Sequence, residues 1–251
     1  MTHTTETSHL YTQAFFTTRQ QNAHQSAQAI VPLVLQALGH PQSIIDLGCG
    51  TGSWLSVFSD AGVPTIVGVD GSYVEKTQLE ISPAHFVSHN LEHPFVLPER
   101  HQSRFDLAMS IEVAEHLPPH RAESFVQELT ALSDVVLFSA AIPGQGGIGH
   151  INEQWPEYWA QFFTAQGYVA VDYFRPQLWR NPAVCWWYSQ NLLLFIRPER
   201  LDTDLSHLKP YVTEVPMALV HPNKFISLDS ELDYLKRRNP FKRFLRWLNK
   251  K

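Results

Sequence analysis

The chain has 251 residues, 44% of them hydrophobic, with seven tryptophans and two cysteines, Cys49 and Cys185. That size suits one α/β domain with an appendage; the cysteine count excludes a disulfide framework and points to a reducing cytosol, and no apolar run reaches the roughly 18 residues a membrane span needs. The net charge of −5 is uneven: eight of the 19 Lys and Arg lie between Lys236 and Lys251, where there is no acid, and the remaining 11 against 24 acidic side chains argue against a phosphate-driven nucleic-acid binder.

In chain order, the amino-terminal "MTHTTETSHL" lacks the basic patch and apolar stretch of a secretory signal, so a cytoplasmic location is expected. "QNAHQSAQAIVPLVLQALGH" has helical spacing, with Pro32 marking a kink or a late start. Apolar runs then recur at 43–48, 64–70, 84–89, 105–110 and 134–140 with helix-like segments between them. Continuous rather than alternating runs suit parallel strands covered on both faces. Trp155, Trp159, Phe162 and Phe163 form one stripe of a helix over Pro156–Gln166, read as core. "YVAVDYF" (168–174) and "NLLLFIR" (191–197) read as a closing antiparallel pair, with a Trp186–Trp187 hairpin between them. The expectation is a doubly wound, seven-stranded, mostly parallel α/β sheet over residues 1–200, its first 40 residues helical. A surface linker follows over 201–229, and a basic amphipathic helix over 230–251.

The first strand ends in "IIDLGCGTGSWL", with Asp46, Gly48, Gly50 and Gly52 at a strand-to-helix turn. Glycines there let a ligand approach the backbone, and the helix start offers free N–H groups. A nicotinamide fingerprint would need glycine at position 53, which is Ser53, and no G-K-[ST] follows for a phosphate loop. Asp70 closes the second strand 20 residues beyond Gly50, where a carboxylate can accept both hydroxyls of a ribose. This D-x-G-x-G-x-G string with its spaced acid resembles motif I of the class I S-adenosylmethionine-dependent methyltransferases. The resemblance covers roughly Ile30 to Arg197. It implies that Asp46 and the Gly48–Gly52 backbone, Cys49 included, hold the methionine moiety, and that Asp70 with Gly71 takes the ribose. Asn90 and Leu91 would meet the adenine, and Ser110 and Glu112 would line the same pocket.

The fourth strand runs into "SIEVAEHLPPH", placing Glu112, Glu115 and His116 at i, i+3 and i+4, one face of a short helix. Two carboxylates and an imidazole so crowded would repel unless a cation sits between them, and the ligand types suit Mg, Mn, Fe or Zn. The alternatives are that Glu112 only caps the cofactor pocket and His116 only ends the helix. After the fifth strand, "IPGQGGIGHINEQW" delivers His150 and Glu153 on a loop that opens on the same side of the sheet. E-x-x-E-H followed by this histidine resembles the small-RNA 2′-O-methyltransferases and the ubiquinone-pathway O-methyltransferases. That resemblance implies a divalent metal held by Glu112, Glu115, His116 and His150. The rival is His116 or His150 as a general base without metal, and Glu115, His116 and His150 are the catalytic candidates on either account.

Methyl transfer from a sulfonium is an in-line displacement, so alignment of the acceptor is the main task. A hydroxyl acceptor must also lose its proton, and a cation or a histidine serves that need. The sequence therefore predicts an O-methyltransferase acting on a small molecule or glycan. The alternatives are RNA 2′-O-methylation, which the acidic body disfavours, and a non-catalytic cofactor-binding subunit. Trp179, Trp186, Trp187 and Tyr188 offer an aromatic platform for the acceptor, and Tyr11, Phe15 and Phe16 a cover for the cofactor, each with core packing as the plainer alternative. Beyond Pro240, Phe241, Phe244, Leu245 and Leu248 share a helical face opposite Lys and Arg, a pattern for anionic membrane surfaces or for packing on an acidic partner.

Overall fold

A computed structural model of the chain describes residues 13–98 and 104–238. The described residues up to Ala218 form one compact unit and those from Leu219 a second. The first begins with helix α1 (Gln13–Leu38), followed by β1 (Ser43–Leu47), α2 (Ser53–Asp60), β2 (Thr65–Asp70), β3 (Phe86–Ser88) and β4 (Leu107–Ile111). Then come α3 (Ala122–Leu132), β5 (Val135–Ser139), α4 (Pro156–Ala165), β6 (Val169–Val171), α5 (Arg175–Leu178), α6 (Trp186–Asn191), β7 (Leu193–Ile196), α7 (Pro198–Asp202) and β8 (Val212–Thr213).

The sheet order is β3-β2-β1-β4-β5-β7-β6-β8. Strands β1 to β5 pair parallel, and β7 enters antiparallel between β5 and β6. Strands β1, β4, β5 and β7 are buried along their whole length, as continuous apolar runs require. Successive side chains face opposite layers. Ile44, Leu107, Leu137 and Leu194 pack with Ile30 and Val34 of α1 and with Leu55 and Phe58 of α2. Ile45, Ala108, Val136 and Phe195 pack with Phe125 and Leu129 of α3 and with Trp159 and Phe163 of α4. Each fully buried large side chain contributes about 1.5–3 kcal/mol. The order reverses between β1 and β4, which opens a crevice at their carboxyl ends.

The structure departs from the expectations in four places. The sheet has eight strands rather than seven, because Val212–Thr213 adds an antiparallel edge to β6. The Trp186–Trp187 hairpin is instead helix α6: Tyr188, Ser189, Gln190 and Asn191 are buried on consecutive positions, and tertiary burial overrides the strand preference of the aromatic run. The linker over 201–229 is largely structured, holding the end of α7, a 3₁₀ turn at Ser206–Tyr211 and β8. Helix α1 starts well before Pro32, so the proline does not mark a late start. The α4 stripe behaves as core, with Trp159 and Phe163 buried and Phe162 packed against them.

In the second unit, α8 (Pro222–Arg238) begins eight residues before the expected start of the basic helix. It exposes Phe225, Leu228 and Leu232, which fall on one face. Phe241, Phe244, Leu245 and Leu248 lie outside the described residues, as do Tyr11 and the side chains of Phe15 and Phe16. No helix among the described residues is long and apolar enough to cross a membrane.

Candidate active site

The glycine turn leaves β1 with Gly48, Gly50 and Gly52 all at positive φ. A Cβ on Gly48 would lie 2.3 Å from Val113 Cγ2, so the bend passes the loop after β4 at a distance only glycine allows. Asp70 ties the turn to the end of β2. Its Oδ2 accepts the Gly50 N–H at 2.6 Å, and its Oδ1 accepts the Gly71 N–H at 2.6 Å together with the Tyr73 hydroxyl. A cavity of about 600 Å³ opens here, lined by Gly48, Gly50, Asp70, Gly71, Tyr73, Asn90, Leu91, Glu92, Glu112, Val113, His116, Leu117 and Ile148. No Lys or Arg is among them.

Three expected cofactor residues stand behind this wall. Asp46 is 2% exposed, and its Oδ1 lacks a hydrogen-bond partner. Burial, and then the charge of Asp70, push its carboxyl well above the usual range. Cys49 is buried with Sγ turned toward its own chain, and burial pushes its thiol up. The Ser110 hydroxyl donates to Leu47 O at 2.8 Å and locks β4 to β1, so its side chain is spent within the sheet. Asn90 lines the cavity, but its Oδ1 already accepts the Glu92 N–H at 3.0 Å. The loop carrying Asn90 and Leu91 is clamped from behind by buried Arg121. Its guanidinium donates to Leu91 O, to His93 O and to both oxygens of Glu128.

Glu115, His116 and His150 converge, one ligand atom of each lying within 4.8 Å of the others. Ala114–His116 is a 3₁₀ turn, and Glu115 is fully buried. The Glu115 carbonyl accepts the N–H groups of Ile151 and Asn152 at 2.9 and 3.0 Å, which docks the His150 loop onto the turn. A Cβ on Gly147 would fall 2.2 Å from His150 Nε2, so that loop also needs glycine to fold over the imidazole. His150 Nδ1 lies 2.8 Å from Glu153 Oε1 and His116 Nδ1 lies 3.2 Å from Gly149 O. Both neighbours are acceptors, so in each neutral ring Nδ1 carries the proton and Nε2 keeps its lone pair. His150 Nε2 is 3.9 Å from Glu115 Oε1. Burial alone would raise the Glu153 pKa. Hydrogen bonds from His150, Gly144 and Gly146 reverse this and hold it below the ordinary glutamate value.

Glu112 does not join this group. It precedes the 3₁₀ turn at φ +56°, one of two non-glycine residues at positive φ among the described residues. That backbone takes it off the face shared by Glu115 and His116, which corrects the expectation of one helical face. Its oxygens accept instead from Gln145 Nε2 at 2.6 Å and Asn191 Nδ2 at 3.0 Å. Trp179, Trp186, Trp187 and Tyr188 do not line the cavity. Tyr188 is buried edge-on against Trp54.

The residues present fit both implied groups. A carboxylate and two imidazoles, each oriented by an acceptor on its other nitrogen, form a donor set for a divalent cation. The glycine bend, Asp70 and the cavity suit an adenosyl donor.

No curated protein matches the chain by sequence. Among solved structures, it resembles SAM-bound CalS10, an amino pentose methyltransferase from Micromonospora echinaspora involved in calicheamicin biosynthesis. The TM-score is 0.54 at 14% identity, over 74% of this chain and 98% of that one. DesVI of Streptomyces venezuelae gives 0.52 at 15% identity, over 73% and 95%. The methyltransferase domain of a bacterial Hen1, CtHen1, gives 0.48 at 23% identity, over 70% and 100%. The sequence pattern of a family described as "Methyltransferase domain" matches residues 19–191, more than half of the chain. The chain therefore belongs to the class I S-adenosylmethionine-dependent methyltransferases.

Proposed function

We propose that the chain is an O-methyltransferase that modifies a hydroxyl of a small molecule or glycan, with Glu115, His116 and His150 holding a divalent cation beside the acceptor. The observation that carries this reading is the convergence of those three side chains on a turn whose His116 lines the cavity of the glycine bend and Asp70. A donor carrying a sulfonium supplies an electrophilic methyl and needs no further activation. The difficult partner is an alcohol, whose proton must leave as its oxygen attacks. A bound cation would lower the pKa of an alcohol resting on it.

The chain's own residues have separable tasks in this reading. The Gly48–Gly52 bend and Asp70 seat the methionine and ribose of the donor, while Asn90 and Leu91 border the adenine. Glu153 fixes the His150 ring with Nε2 on the side of Glu115, where it would serve as a cation ligand. Among the described residues the cavity wall holds Asp70, Glu92 and Glu112 and no Lys or Arg, which favours a neutral or cationic acceptor over a phosphorylated one.

A second reading rests on the Glu153–His150 pair, which can serve as an oriented general base without metal. Transfer of labelled methyl from S-adenosylmethionine to sugar and phenol acceptors, before and after EDTA and manganese readdition, separates the two. Turnover lost with EDTA and restored by manganese supports the cation. Turnover unchanged by EDTA but abolished in His150→Ala supports the base. Methylation confined to amine acceptors sinks the hydroxyl assignment.

A further inference from the structure

Glu112 and Glu115 are three residues apart, yet the structure sends their carboxylates to different duties. We propose that Gln145 and Asn191, backed by Gln190, are positioning residues that hold the Glu112 carboxylate on the donor side of the cavity. There it meets the ammonium of the donor's methionine end, and it takes no part in the cation group of Glu115, His116 and His150. The second clause rests on the function proposed above; the first does not.

Three features carry this inference. The Glu112 backbone is fixed in the left-handed region, with its N–H bonded to Ser139 O at 3.0 Å and Ser139 Oγ at 3.1 Å. A non-glycine residue there stores strain that the surroundings must hold in place. Second, the carboxylate accepts from two neutral amides, Gln145 Nε2 on one oxygen and Asn191 Nδ2 on the other. Glu112 also lines the cavity of the glycine bend and Asp70, which puts this carboxylate beside a ligand seated there. These two donors are neutral and orient the carboxylate without adding a positive charge, which suits recognition of an ammonium.

Third, the amides cannot turn round. Gln145 Oε1 accepts from Gln190 Nε2 at 3.1 Å and Asn191 Nδ2 at 2.8 Å, and Asn191 Oδ1 accepts from Gln190 Nε2 at 2.9 Å. With their oxygens engaged inside a buried network, Gln145 and Asn191 present their N–H groups to Glu112. The network draws on the loop after β5 and the end of α6, so it couples the acceptor-side elements to one acid beside the glycine bend.

Calorimetry on the full chain with two probes, manganese and S-adenosylhomocysteine, tests the division. Glu112→Gln is expected to keep manganese affinity within about twofold and to weaken S-adenosylhomocysteine by about tenfold or more, the scale of a lost charge-assisted hydrogen bond. Gln145→Met, close in shape but without donors, is expected to weaken S-adenosylhomocysteine roughly threefold in the wild-type background. It should have no further effect in Glu112→Gln, the non-additivity expected of residues acting through one another. Melting temperatures identify any variant that fails to fold, and Asn191→Leu then replaces Gln145→Met in the cycle. Loss of manganese binding in Glu112→Gln, with S-adenosylhomocysteine affinity intact, overturns the inference. If the wild-type chain takes up no manganese, the cation reading falls by itself, and the S-adenosylhomocysteine cycle decides Glu112: additive losses overturn its positioning by the amides and non-additive losses uphold it.

Discussion

At the scale of single residues, the glycine turn depends on two features, a glycine and a buried acid. Gly48 combines φ +92° with a virtual Cβ 2.3 Å from Val113. Gly48→Ala should lower stability by about 1–3 kcal/mol and weaken S-adenosylhomocysteine by more than tenfold, read by melting and calorimetry. Adding Val113→Ala should recover only part of the loss, because the backbone penalty remains; full recovery would show that the clash alone matters.

Asp46 makes the opposite kind of prediction. Its folded-state pKa is raised by burial and by Asp70, so the native chain binds a proton that the unfolded chain releases at lower pH. The stability linked to this group is present below the unfolded aspartate pKa of about 3.9 and is lost as pH rises toward the folded value. The ligand-free Asp46→Asn variant should therefore gain melting temperature over wild type, and the gain should grow from about pH 4 toward neutrality. A difference constant with pH would contradict the assignment. The D-x-G-x-G-x-G string made these residues legible, because spacing along a strand and its turn fixes them locally. The partner of each carboxylate was not legible. Glu112 was expected beside Glu115 on a helical face, but a left-handed backbone at one residue turned it to Gln145 and Asn191, 33 and 79 positions away.

At the scale of elements, the site is framed by segments that no motif announces. Glu80 accepts from Thr51 and Ser53 on the glycine turn and from Gln20 and His24 on α1. Burial would raise its pKa, yet these hydrogen bonds hold it below the ordinary glutamate value. One carboxylate thus joins the turn to the helix that covers this face of the sheet. Arg121 does the same for the Asn90–His93 loop from the start of α3. Arg121→Met should leave the Glu115 group and its manganese affinity in place, while S-adenosylhomocysteine affinity falls by about tenfold through loss of two carbonyl contacts and an unpaired Glu128. Equal losses for both probes would mean a general loss of folding instead. Helices α5 and α6 escaped the sequence reading because α5 has four residues and α6 six, too short for periodicity to show. Aromatic residues in α6 also mimic a strand. The long apolar runs of β1, β4 and β5 were legible for the converse reason: full burial on both faces leaves one composition.

At the scale of the whole molecule, the strand order places three carboxyl-end loops around one crevice. The loop after β1 brings the glycine bend, the loop after β4 brings Glu112 to His116, and the loop after β5 brings His150 and Glu153. Parallel pairing of β1, β4 and β5 is what puts residues about 100 positions apart on one rim. That convergence was readable from fold class alone, whereas the eighth strand, two residues paired to β6, is too short for sequence period to reveal.

The central claim is that a sulfonium donor seated on the glycine bend and Asp70 meets an acceptor held at Glu115, His116 and His150. Crystals grown with S-adenosylhomocysteine and manganese, with anomalous scattering recorded at the manganese edge, test it most directly. The account predicts the ribose on Asp70 and an anomalous peak bounded by Glu115, His116 Nε2 and His150 Nε2. A peak elsewhere, or S-adenosylhomocysteine bound away from the Gly48–Gly52 bend, would contradict it.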